Sequence, residues 1–262
     1  MEILVCVKQV PDTTEVKVDP KTGTLIRDGV PSILNPFDQF ALEESVRLKN
    51  QYGGNVTVIS MGPPQARTAL MKCLALGADR AILLSDRTFA GADTWATAYT
   101  LALAIQKAGK FDLIMCGQQA IDGDTAQVGP EIAHNLGMAQ VTYVEKVESV
   151  EAGKITVKSI FEDGYHIIEA KTPVLLTCNT PSSFQYGNPP MMAIMKAGKK
   201  PFDTWTYNEI GGDKAKMGLC GSPTQVVRVY SPPTRGKGIL LNEPADGAVK
   251  KLIEAMREKK VV

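Results

Sequence analysis

The chain has 262 residues, 44% hydrophobic and 22% charged, with a formal net charge of +1. That length and composition fit a globular protein built as one large domain, or as a domain with an appendage. The near-neutral charge excludes a broad electrostatic field for nucleic acid or anionic lipid, and no apolar run reaches the roughly 18 residues that insertion into a bilayer needs.

The opening MEILVCVKQV lacks the basic start and long apolar stretch of a secretory signal, so a soluble, cytoplasmic protein is expected. Ile3 to Val7 predicts a buried strand, and Thr14–Val18 with Thr24–Arg27 a small hairpin about the Pro20–Gly23 turn. Phe37 to Gln51 predicts a helix ending at Gly53-Gly54, Val56 to Ser60 a strand, and Gln65 to Leu76 a helix stopped by Gly77. Ala81 to Leu84 follows as a strand, Asp93 as the N-cap of a helix through Lys107, and Leu113 to Cys116 as the next strand. Alternating strands and helices predict an α/β, Rossmann-like parallel sheet with helices on both faces. Val141–Val150, Lys154–Phe161 and His166–Ala170 read as an antiparallel meander, and Pro173–Cys178 returns as a strand.

After Thr180 the periodicity fades. Residues 181–240 are dense in Pro, Gly and Lys, with little core-forming pattern. A closing helix over Ala245–Glu258 sets Val249, Leu252, Ile253 and Met256 on one face, a stripe that needs a surface to cover it. The expected division is a nucleotide-binding α/β domain over 1–180, a partner-recognition loop over 181–200, and an extended C-terminal arm and helix over 201–262.

In a parallel sheet, ligands bind beyond the carboxyl ends of the strands, at the switch point. The loops expected there, Lys8–Asp12, Met61–Pro64, Ser85–Asp93 and Cys116–Glu131, are rich in Gly, Pro and Asp. The last reads CGQQAIDGDTAQVGPE. It is not a Walker A loop, and no G-x-G-x-x-G follows a strand. Its glycines still permit close backbone approach to an anion, and Asp124 is placed to cap a helix from Thr125, with Pro130 forcing a late start or a kink. A strand-to-helix connection whose aspartates merely cap and turn is the competing reading. The D-G-D lacks the remaining ligands of a calcium loop, and His134 and His166, with five dispersed cysteines and no C-x-x-C, give no metal-ligand spacing. Cys116 ends an apolar strand and reads as a core thiol rather than a nucleophile.

Taken together, several stretches resemble the β subunit of electron-transfer flavoprotein: Val5-Cys-Val-Lys-Gln-Val-Pro-Asp12, Asn35-Pro-Phe-Asp38 with Ala41-Leu-Glu-Glu44, Gly77-Ala-Asp-Arg80, Gly117-Gln-Gln-Ala-Ile-Asp-Gly-Asp124, Ile194-Met-Lys196 and Gly221-Ser-Pro-Thr224. The resemblance implies an adenine-nucleotide-hydrolase-like domain that pairs with an α subunit carrying an FAD. It places an adenine nucleotide, AMP in ordinary members, against Cys6, Asn35, Pro36, Phe37, Asp38, Met61, Gly117, Gln118, Gln119, Ala120, Ile121, Asp122, Gly123, Asp124, Thr125, Ala126, Gln127 and Val128.

Pro11–Val16, Gly23–Ser32, Phe89–Thr94 and Asp124–Pro130 further resemble the electron-bifurcating branch. That branch implies FAD in place of AMP, NADH as electron donor, ferredoxin or flavodoxin as one acceptor, and an acyl-CoA dehydrogenase-type flavoenzyme as the other, reached through the second FAD in the α subunit. Asp93, Thr94 and Thr97 would lie near the FAD, and Thr13, Thr14 and Glu15 near the nicotinamide; a plain helix cap is the competing role for Asp93 and Thr94. The stretch Tyr186–Lys196 departs from the family's usual Pro-Arg-Tyr before Ile-Met-Lys, and sets Met191, with Met192 and Met195, as the apolar anchor for the partner dehydrogenase. A stand-alone nucleotide-binding module without a redox role is the alternative of another class. The aperiodic arm and amphipathic end helix weigh against it.

Overall fold

Successive side chains of the first strand, β1 (Glu2–Cys6), enter opposite layers: Ile3 and Val5 join one buried cluster, Leu4 and Cys6 the other. The period of two recurs in the neighbouring strands, and it decides where the helices go. The computed structural model describes residues 1–12, 31–227, 236 and 238–262. The hairpin expected over 14–27 lies outside them, as do Thr13, Thr14 and Glu15.

In the unit Met1–Arg228, β1 leads to a short antiparallel pair, β2 (Gln9–Pro11) and β3 (Ser32–Leu34), and then to α1 (Pro36–Tyr52). Pro36 opens α1 where a missing N–H costs nothing, and Gly53 ends it at φ 77°. The alternation continues through β4 (Asn55–Met61), α2 (Arg67–Leu76), β5 (Arg80–Leu84), α3 (Thr94–Ala108), β6 (Leu113–Gly117) and α4 (Val128–Leu136). The meander follows as β7 (Ala139–Glu151), β8 (Lys154–Phe161) and β9 (Gly164–Lys171), and then β10 (Val174–Cys178). One nine-stranded sheet results, in the order β11-β5-β4-β1-β6-β10-β7-β8-β9, where β11 is Phe202–Trp205. The ladders from β11 to β7 are parallel, and β7–β8 and β8–β9 are antiparallel.

Helices α1 and α2 cover one face through Phe40, Leu42, Leu48, Leu70 and Leu74. Helices α3 and α4 cover the other through Leu101, Ile105 and Ile132. Each such buried aliphatic or aromatic side chain stabilises by about 1.5–3 kcal/mol. Four of the cysteines are buried and free, and Cys220 is free and exposed.

Three expectations are corrected. The helix after β6 starts at Val128, not Thr125, because Asp124 and Ala126 sit at φ 57° and 55° and break the helical path. The Lys8–Asp12 loop is partly paired, since Gln9–Pro11 forms β2. The stretch after Thr180 does build core and sheet. It supplies α5 (Met191–Ala197), whose Ala197 is buried, then β11 on the edge beside β5, α6 (Tyr207–Ile210), and the buried Met217. Strand β11 is fastened by Arg80, which donates to Asp203 at 2.7 and 2.9 Å and lies over the Trp205 ring.

The second unit, Val229–Val262, holds α7 (Ala245–Glu258). Val249, Leu252 and Ile253 are exposed on it, and Met256 is half-buried.

Candidate functional site

From β1 the chain moves by α1 to β4 on one side, and from β5 it returns by α3 to β6 on the other. The crevice between the carboxyl ends of β1 and β6 is therefore the switch point, where ligands bind in open α/β sheets. Cys6 ends β1 directly opposite Cys116 in β6. Met61 ends β4, packed at the edge of the second cluster.

Asn35 governs the crevice. It is fully buried, and its backbone N–H donates to the Lys8 carbonyl at 2.9 Å. Its side chain donates to the Gln119 carbonyl at 2.8 Å and accepts from the Ile121 N–H at 3.2 Å. One amide thus clips the near half of the Gly117–Gln127 loop to the start of α1. The Gln118 N–H adds a bond to the Cys178 carbonyl at 2.8 Å.

The far half is held more lightly. Asp122 pairs with the Lys8 ammonium at 2.6 Å, and Asp124 accepts from the Gln119 side chain. Left-handed Ala126 precedes Gln127 at φ −101°, ψ −31°. Such an alternation turns consecutive N–H groups toward a common anion, and the first N–H groups of α4 have no partner within the helix. The start of α4 lies close on β10: a Cβ added at Gly129 would meet the Thr177 methyl at 2.6 Å.

Beneath the loop sits Asp38, 7% exposed. One carboxylate oxygen accepts from the Lys8 N–H at 2.8 Å and the other from the Gly117 N–H at 3.1 Å. Burial pushes its pKa up to about 7, against the opposing pull of its hydrogen bonds and of the Lys8 charge. The Cys6 thiol and burial push the Cys116 thiol well above its ordinary value, the reverse of an activated nucleophile.

Asp93 caps α3, accepting from the Ala96 N–H at 3.0 Å, and its other oxygen accepts from the Thr224 N–H at 3.0 Å and the Thr224 hydroxyl at 2.8 Å. Burial opposes these donors, but they hold its carboxyl below the usual range. Thr94 donates to Glu131 at 3.1 Å, and Thr97 is half-buried in the first turn of α3. The structure thus gathers Cys6, Asn35–Asp38 and Gly117–Val128 around one crevice, and sets Asp93 and Thr94 beside it through the α3–α4 contact.

Two residues escaped the sequence reading. Lys8 joins the crevice by both its N–H and its ammonium; its signal was its position directly after an apolar strand. Glu131, in the first turn of α4, accepts from Thr94 with one oxygen and buries the other, Oε2, without a partner. Burial also raises its pKa. No sequence signal marks it.

Away from the crevice, Met191, Met192 and Met195 project from α5, at 71, 64 and 66% exposed. An apolar cleft of about 250 Å³ beside them is lined by Met71, Ala75, Pro189, Ile194 and Ala197. Chemically, the crevice offers backbone donors, an ammonium paired with Asp122, and the carboxylates of Asp38 and Asp124 engaged by donors of their own, groups suited to holding a ligand rather than to breaking bonds.

A sequence profile described as the electron transfer flavoprotein domain matches residues 22–210. The chain is 51% identical over 261 residues to electron transfer flavoprotein subunit beta of Clostridium acetobutylicum, covering 98% of each protein. It is 52% identical over 264 residues to the caffeyl-CoA reductase-Etf complex subunit CarD of Acetobacterium woodii, covering 97% of this chain and 98% of that one. It is 45% identical over 263 residues to protein FixA of Bradyrhizobium diazoefficiens, covering 98% and 91%.

Proposed function

The chain belongs to the electron transfer flavoprotein family as a beta-subunit member, and on that premise we propose that it binds FAD in the crevice between β1 and β6. When bound, the FAD supplies hydride acceptance from NADH and electron release to ferredoxin or flavodoxin and, through the second FAD of an α subunit, to an acyl-CoA dehydrogenase-type flavoenzyme. The observation that carries the reading is the loop Gly117–Gln127, clipped by Asn35 over the strand ends and opening onto α4. The residues fit the adenosine end of such a group. Gly117 leaves no side chain between the loop and Phe37, where a Cβ would meet backbone at 2.7 Å. Ala126, Gln127 and Val128 bring N–H groups to the phosphates, and the Lys8 ammonium, paired with Asp122, stands at the same loop. No side chain of the crevice need act as acid or base. Similarity to a subunit of a caffeyl-CoA reductase-Etf complex supports a CoA-thioester flavoenzyme as acceptor. The methionines of α5 and the cleft beside them give that enzyme an adaptable apolar anchor. The exposed stripe of α7 suits the α subunit.

A second reading, AMP as a structural nucleotide in a non-bifurcating carrier, draws on one observation. Asp93, expected near the flavin, already uses both oxygens on Ala96 and Thr224. Counting nucleotides released by acid from the αβ complex separates the two: two FAD and no AMP per heterodimer supports the first, one of each the second. A chain that co-purifies with no α subunit and no flavin would favour a stand-alone nucleotide module.

A further inference from the structure

We propose that Asp38 is a positioning residue whose ionised carboxylate draws the ends of β1 and β6 together, and that its protonation releases the loop that receives the nucleotide. The inference rests on the nucleotide reading of the crevice. Asp38 reaches the site through backbone: its two oxygens accept from the N–H of Lys8, two residues past the end of β1, and from the N–H of Gly117, the last residue of β6. An ionised carboxylate is acceptor-only and satisfies both donors. Protonation turns one oxygen into a hydroxyl, a weaker acceptor that carries a donor of its own, so one of the two bonds is weakened. The same α1 start also carries Asn35, which clips the loop two and four residues further along, at Gln119 and Ile121.

Burial outweighs what stabilises the Asp38 charge, namely the Asn35 side chain, the two backbone N–H groups and the Lys8 charge. The Asp38 charge in turn acts on the thiols of Cys73 in α2, Cys116 in β6 and Cys178 in β10, and is among the causes that push each of them up. Among the described residues the cation that acts on it is Lys8, whose ammonium is drawn to Asp122. The carboxyl's raised value of about 7 places the change within the physiological range. If binding requires the ionised form, affinity falls roughly tenfold between pH 8 and pH 6, as the competent fraction does.

The test measures FAD binding to the deflavinated αβ complex from pH 6 to pH 8. FAD is the probe because its pyrophosphate charge is constant there, whereas the second ionisation of a monophosphate lies near 6. The wild type is expected to weaken about tenfold on acidification. Asp38→Asn keeps the shape but offers one acceptor, and is expected to bind weakly with a flat profile. A flat wild-type profile, or an unchanged pH step in Asp38→Asn, overturns the proposal. Hydrogen exchange of the Lys8 and Gly117 amides in the ligand-free complex gives a second readout that needs neither ligand nor variant. If no adenine nucleotide binds at any pH, the nucleotide reading fails, and the amides decide the clamp: protection lost at pH 6 upholds it, and pH-invariant protection overturns it.

Discussion

Replacing Gly117 with alanine tests the architecture of the crevice with a single methyl group. A Cβ at that position would lie 2.3 Å from an Asp38 oxygen and 2.7 Å from the Phe37 carbonyl carbon. The first contact cannot relax freely, because Asp38 is buried and already holds Lys8 N–H at 2.8 Å. The second is with main chain at the start of α1. Overpacking of this kind costs about 1–3 kcal/mol, and losing the Gly117 N–H bond to a charged acceptor adds about 1.5–3 kcal/mol. The two share one displacement, so a total of about 2–4 kcal/mol is expected rather than the full sum. Gly123→Ala is the matched control. Nothing lies within 4 Å of its added Cβ, and a change within about 0.5 kcal/mol is expected. Urea unfolding followed by far-UV circular dichroism, with nucleotide content measured on the same preparations, reads both variants. A Gly117→Ala protein within 0.5 kcal/mol of wild type and with full nucleotide content would refute the reasoning, since the contact would then relax at no cost.

Asn35→Ala removes both clips on the loop and leaves the Gln119 carbonyl and Ile121 N–H unpaired, a loss of about 2–3 kcal/mol, read by denaturation and by nucleotide loss on gel filtration. Asp93→Ala removes the α3 cap and the brace on Thr224, at about 1–2 kcal/mol. The folded-state pKa of Asp93 is depressed, so its contribution is present above the ordinary aspartate value of about 3.9 and is lost as pH falls through the folded value. The stability gap between wild type and Asp93→Ala should therefore close on acidification below pH 4, and a pH-independent gap would contradict it. Replacing Met191, Met192 and Met195 with glutamate should leave nucleotide content unchanged and stability within about 0.5 kcal/mol, while electron delivery to the partner dehydrogenase falls at least tenfold. Equal loss of nucleotide would show instead that these side chains support the fold.

Much of the sheet was legible because Ile3–Val7 and Leu113–Cys116 are continuous apolar runs, and Val56–Ser60 is a β-branched run, apolar but for Thr57, before its closing Ser60, as strands covered on both faces tend to be. Asp93 was legible as a cap because its environment is local: the donor is three residues away. Strand β11 was not. Phe202–Trp205 gains strand geometry from pairing with β5 across more than a hundred residues, and from the Arg80–Asp203 pair. Nor could sequence place β10 between β6 and β7, since the meander lies between them in the chain and beyond them in space. At the crevice, the strand-to-helix loop after β6 was legible, but the start of α4 was misplaced. Asp124 was read as a cap, whereas its backbone is left-handed and its carboxylate serves Gln119. Lys8 and Glu131 were missed because their roles rest on partners far away in sequence, Asp122 and Thr94.

The clip made by Asn35 also divides the loop into two halves that differ in their freedom to vary in length. From Gly117 to Ile121 the backbone is fixed at both edges, to Cys178 on one side and to Asn35 on the other. An inserted residue there would throw every later bond out of step. From Gly123 to Gln127 the chain is mostly exposed, and a Cβ added at Gly123 meets nothing. Length changes are absorbed most cheaply in such surface stretches. Diversification of ligand preference, by natural drift or by loop grafting, therefore has its room in those last residues, while the first five behave as part of the scaffold.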